Sequence, residues 1–134
     1  MKQHKVILAR NSLIKAEEAL KAGFDNLEIN LNVAQNRAYY TVFYTVLALG
    51  YLDGFVTSSH HSLMGWFNKN YIHINKVFDV SLSKIYSTLI RHREFFDYDV
   101  SENPVKEDVL KDLNSAKIFL ESLRPYILKR IEAE

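Results

Sequence analysis

Apolar residues return at three- and four-residue intervals along most of the chain, the period of helices buried on one side. Over 5–24 the stripe is Val6, Ala9, Leu13, Ala16, Leu20 and Phe24, with Lys15, Glu18 and Lys21 off it. Asn32, with Gln35 three residues later, reads as a capping box and opens a second helix over about 33–52. That segment, VAQNRAYYTVFYTVLALGYL, is apolar nearly all round, the mark of a central helix. Asn36, Arg37, Tyr40, Phe43, Tyr44, Leu47 and Tyr51 form a bulky aromatic face. Ala34, Ala38, Thr41, Thr45 and Ala48 form a small-residue face on which another helix can approach closely. A shorter third helix is expected after a cap at Ser58 or Ser59, with His60, Leu63, Met64, Phe67 and Tyr71 on one face. A loop through 73–76 leads to a fourth, over about 81–98, whose stripe is Leu82, Ile85, Leu89 and Phe96. Asn103 as cap and Pro104 at the first helical position introduce a fifth, over about 104–132. It carries Val109, Leu113, Ala116, Leu120, Leu123, Ile127 and Ile131 on one side, and a bend is expected at Pro125.

The pattern predicts an all-α, up-down bundle of about five helices, a single domain over 1–134. Composition agrees: four glycines and two prolines in 134 residues are too few for the tight turns of a β fold. Hydrophobic residues at 48% and charged residues at 25% suit a globular chain with a real core. The net charge of +1 gives no overall nucleic-acid signature and leaves only a local patch open. With no cysteine, disulfides and thiolate chemistry are excluded. Neither a signal peptide nor an apolar span is visible, so a cytoplasmic location away from membranes is expected. Phosphate-binding loop, dinucleotide and Ser-His-Asp motifs are missing, and no cofactor is expected.

Candidate chemistry lies in three clusters. The first is LIRHREFFDYDV, residues 89–100, where three aromatics and a histidine sit among two arginines and two aspartates with Glu94. With Leu89 and Phe96 toward the core, Arg91 and Tyr98, seven residues apart, share the opposite face. A guanidinium beside a phenol suits an anion or nucleotide; ion pairing of Arg91 and Arg93 with Glu94, Asp97 or the second helix is the plainer alternative. The second is NRAYY, 36–40, where Arg37 needs a partner such as Asp97 or Asp99 because an unpaired buried charge is costly. The third is SSHH, 58–61; adjacent histidines point about 100° apart on a helix and do not chelate, so one packed and one exposed histidine are expected, and no metal site.

NRAYYTVFYTVLALGYLDG, SHHSLMGWF and IRHREFFDYDV together resemble the HEPN domain family, in particular its small stand-alone members. The resemblance runs from the first helix to the middle of the fifth. It implies an all-α bundle that forms a homodimer, often paired with a minimal nucleotidyltransferase in a toxin–antitoxin setting. Active members are metal-independent ribonucleases with an Arg-x(4–6)-His motif. On that motif Arg91 is the arginine, His92 the polar residue after it, and Asp97 and Tyr98 the two residues after the histidine. Tyr98 then matches a tyrosine that some partners adenylylate. The histidine position falls on Phe96, and neither Arg91 nor Arg93 has a histidine at an allowed spacing. Phenylalanine cannot exchange a proton with a ribose hydroxyl. The expected function is therefore binding of a nucleotidyltransferase partner, RNA or a nucleotide through Arg91, Asp97, Tyr98, Arg37 and Tyr40, with a degenerate ribonuclease motif. A ribonuclease toxin using Arg91 and His92, and a purely structural helical subunit, are the alternatives.

Overall fold

A computed structural model describes residues 2–98 and 101–134. Among the described residues there are five α-helices and no strand: α1 Lys2–Asp25, α2 Leu31–Asp53, α3 His60–Phe67, α4 Val80–Tyr98 and α5 Lys106–Ala133. A π-helical turn, Asn68–Ile74, continues α3 without a break. No helix among the described residues is long and apolar enough to cross a membrane.

α2 is the central element, and α1, α3, α4 and α5 all pack against it. Its small-residue face, Ala34, Ala38, Thr41, Thr45 and Ala48, is buried throughout. The Thr41 and Thr45 hydroxyls donate to the carbonyls of Arg37 and Thr41, at 2.8 and 2.6 Å, so neither is stranded in the core. The bulky face is only half-buried at Tyr40, Phe43, Tyr44, Leu47 and Tyr51. α5 buries its whole expected stripe from Val109 to Ile131 and runs through Pro125 as one helix.

Two boundaries differ from expectation. The N-cap of α2 is Asn30, not Asn32: its extended backbone (φ −151°, ψ 102°) aims Oδ1 at the Asn32 and Val33 amides, both at 3.1 Å. Gln35 is consequently free of capping and is buried. α5 starts at Lys106 because Val105 is extended (φ −93°, ψ 135°); Asn103 does not cap it, and Pro104 is buried ahead of it. Glu107 and Asp108 in its first turn face the positive helix end instead. Of the two serines proposed for α3, Ser59 is the cap, accepting from Ser62 N at 3.2 Å. α2 ends at Gly54, whose left-handed φ of 76° is the conformation glycine adopts without strain.

α4 is rotated from the expected register. Leu82 and Leu89 are buried, together with Tyr86 and Ile90, while Phe96 is half-buried and lies outside the core. The stripe 82–86–89–90 continues inward to Arg93, which turns Phe96 toward α5.

Candidate functional site

The last two turns of α4 carry two polar networks, one facing α2 and α3, the other facing α5. In the first, the half-buried Arg93 guanidinium lies 5.3 Å from the Tyr39 ring and 5.5 Å from the Tyr40 ring. Its Nε donates to Asp97 Oδ2 at 3.1 Å, one turn on. A long cationic side chain can close a core in this way, its stem and planar head covering aromatic faces. Beneath it the wholly buried Tyr39 meets His60 Nδ1 at 2.6 Å, and His60 stacks on Phe43 at 4.5 Å. Burial holds the His60 ring below its usual range, helped by the positive charge of Arg93 and by His61. Burial also pushes the Tyr39 phenol up, beyond the normal tyrosine range. With the ring neutral and the phenol protonated, this is a hydrogen bond between uncharged groups, its donor set by the His60 tautomer. His61 is exposed and pairs with Glu94 at 2.9 Å, so α3 is tied to α4 through His61 and to α2 through His60.

The second network centres on Asp112 of α5, a carboxylate that is 5% exposed. Its Oδ2 receives His92 Nδ1 at 2.6 Å and Gln35 Nε2 at 2.9 Å. Burying a carboxylate is costly unless it is hydrogen-bonded, and these two donors offset that cost. A carboxylate oxygen only accepts, so Nδ1 carries the hydrogen and the His92 tautomer is fixed. Nε2 has no partner among the described residues. Gln35, His92, Phe95, Phe96, Lys111 and Asp112, with Thr88 and Asp108, line a cleft of about 430 Å³ between α4 and α5. Phe95 is half exposed there and meets Phe96 edge-on, 5.0 Å between ring centres at 85°.

The expected site residues divide between these networks and the outer surface. Arg91 is exposed and folds down its own helix, donating to the Ser87 carbonyl (3.3 Å) and reaching Thr88 Oγ1 (3.4 Å). That places its guanidinium beside a residue of the cleft. Tyr98, at 82% exposure, is the most open aromatic of α4. Asp97 is taken by Arg93. Arg37 does not pair with Asp97: it donates to Asn36 Oδ1 at 2.7 and 3.1 Å and lies over the Tyr40 ring at 4.8 Å. Its other suggested partner, Asp99, lies outside the described residues. Tyr40 therefore sits between two guanidiniums, those of Arg37 and Arg93. The residues missed are Arg93, Gln35 and Asp112. Arg93 was visible in the 82–86–89–90 spacing; the other two are 77 positions apart and nothing local marks them as partners.

A helical bundle whose fourth helix ends in clustered arginine, histidine and aromatic side chains is the class defined by this fold and this site. The chain belongs to the HEPN domain family, whose model matches residues 9–126. It is 33% identical over 102 residues to a UPF0332 protein of Thermotoga maritima, covering 75% of this chain and 76% of that protein. It is 30% identical over 118 residues to a Methanocaldococcus jannaschii protein named "Putative toxin MJ0142", covering 87% and 79%.

Proposed function

We propose that this chain is a HEPN module of a toxin–antitoxin system, a homodimer that binds single-stranded RNA or a nucleotide beside a minimal nucleotidyltransferase partner. The observation that carries the reading is the α4–α5 cleft, where two phenylalanine rings meet Lys111 and His92, with Arg91 alongside. Aromatic faces take bases and cations take phosphates, which is how single strands are held. The toxin name of the archaeal relative supports the setting. Tyr98 offers an exposed phenol next to Asp97, as a modification target or a stacking surface. Arg37 and Tyr40 give the α2 side a second guanidinium–aromatic pair. With Phe96 in the motif's histidine position, binding without cleavage is the expected behaviour.

Fluorescence anisotropy with a labelled single-stranded RNA tests this. Arg91→Ala should weaken binding roughly ten-fold while circular dichroism stays unchanged; unchanged affinity would sink the reading. Cleavage is a second reading, favoured by one observation: a buried carboxylate fixes His92 and leaves Nε2 without a partner among the described residues, the arrangement of a base and its orienting group. Loss of RNA cleavage in His92→Ala, if the wild type cleaves, would select it. The dimer rests on the family, whose members often dimerise. Sedimentation at micromolar concentration should give twice the monomer mass.

A further inference from the structure

Two acceptors on residues that line the α4–α5 cleft have no partner among the described residues. Among the described residues both hydrogen bonds to Asp112 fall on Oδ2, and Oδ1 receives none. Gln35 spends its Nε2 on that carboxylate, so its Oε1 is the second acceptor without a partner. The amide cannot be turned round, because Oε1 would then oppose a carboxylate oxygen. Gln35 is 2% exposed and Asp112 5%. Neither acceptor is sealed off: the fully enclosed, unpartnered side-chain atoms among the described residues are Asn68 Oδ1 and the Tyr86 hydroxyl. Gln35 and Asp112 both line this cleft, and Asp112 also borders a neighbouring one with Lys84, Ile85, Leu89 and Ser115.

A ligand that fits must bring N–H donors to a buried carboxylate, a flat ring for Phe95, and negative charge for Lys111 and Arg91. We infer that the cleft is a base pocket selective for guanine, and that Asp112 and Gln35 set the selectivity; this rests on the RNA-binding reading above. Guanine presents N1–H and N2–H side by side, with no acceptor between them. Adenine and cytosine place a ring acceptor next to their amino group, and uracil flanks N3–H with two carbonyls. Each would set an acceptor against the carboxylate, and a site built for a donor rejects a ligand that lacks it. The half-exposed Phe95 gives the base a face to stack on. Lys111 in the lining and Arg91 at Thr88 supply charge for the phosphates, with Asp108 opposing them. An arginine from a protein partner could also pair with Asp112 and stack on the rings, but these two cations repel it. The volume, about 430 Å³, lies within the ~300–1,000 Å³ range of small-ligand sites.

The test uses the intact chain and 2′-O-methyl uridine heptamers carrying a central guanine, inosine, adenine or cytosine, so that cleavage cannot intervene. The guanine oligomer should bind about ten-fold tighter than adenine or cytosine. Inosine, which loses only the N2 amino group, should fall between. 5′-GMP should compete and 5′-AMP should not; 5′-GMP as tight as the oligomer would identify a free nucleotide held by the same base chemistry. Asp112→Asn, which offers a donor where the carboxylate only accepts, should close the gap between guanine and adenine. If that variant does not fold, the wild-type base series still decides. Equal affinity for all four oligomers overturns the base pocket and leaves RNA binding standing. Failure of every oligomer to bind sinks the reading beneath it. Displacement of the guanine oligomer by an arginine-rich peptide, with none by 5′-GMP, overturns the assignment in favour of a protein ligand.

Discussion

His60 shares a hydrogen bond with the Tyr39 hydroxyl in surroundings that disfavour a charge on its ring, and that gives stability a pH dependence. Desolvation comes first, then Arg93 and His61, with Glu94 acting the other way. The folded value lies below the unfolded one, so the unfolded chain binds more protons as pH falls. The contribution is complete above the unfolded value, ~6.5, and is lost as pH drops from there through the folded value. Thermal unfolding should therefore show a lower Tm at pH 5 than at pH 7.5. His60→Gln, whose amide oxygen can still accept from Tyr39, should show a smaller drop; an equal drop would refute the role of His60. Tyr86 makes the opposite case. Its ring is fully buried between Phe67 and Phe119, at 5.9 and 5.8 Å, yet its hydroxyl has no partner among the described residues. Tyr86→Phe keeps the ring packing and removes an unsatisfied group, so it should raise stability by ~1 kcal/mol, read from the urea midpoint.

At the scale of the element, most of what decides a helix was legible and most of what ends it was not. The buried stripes of α1, α2 and α5 follow the apolar spacing because each meets a neighbour along its length. The caps were harder. Asn30 and Asn32 are equally good side chains two residues apart, and only the backbone at Asn30 decides between them. Asn30→Ala should cost ~1 kcal/mol, whereas Asn32→Ala should cost little; equal losses in chemical denaturation would contradict the assignment. The π-helical turn was invisible because His60, Leu63, Phe67 and Tyr71 keep an α-helical spacing that runs on into the turn itself. α4 was misread for a different reason. The expected stripe of Leu82, Ile85, Leu89 and Phe96 does not include Arg93, but a guanidinium on two tyrosine rings is an inward residue. That rotation moves Phe96 out of the core and into the cleft. The cleft floor was beyond sequence reading, since Gln35, His92 and Asp112 come from three helices and meet only when α2, α4 and α5 pack.

On the scale of the whole molecule, the two ends of the bundle are closed by different chemistry. One end carries the networks around Arg93 and Asp112. The other joins the end of α2, the π-helical turn and the end of α5 through three side chains. Tyr71 donates to Asp53 Oδ2 at 2.5 Å, and Arg130 donates to Asp53 Oδ1 at 2.7 Å and to the Tyr71 oxygen at 3.0 Å. Arg130 also lies 5.9 Å from the Tyr126 ring. These groups are partly buried, so water weakens the arrangement less than it does an open surface pair. Removing Arg130 leaves both Asp53 and Tyr71 short of a donor, and Arg130→Met should cost ~2 kcal/mol. Tyr71→Phe should cost less, since Asp53 keeps Arg130. If the three act as one clamp, the double variant should lose less than the sum of the singles, by ~1 kcal/mol. Strict additivity in a urea double-mutant cycle would mean that Arg130 grips Asp53 alone. The π-helical turn would then be held to the bundle by the packing of Tyr71 against Phe67, Phe78 and Tyr126.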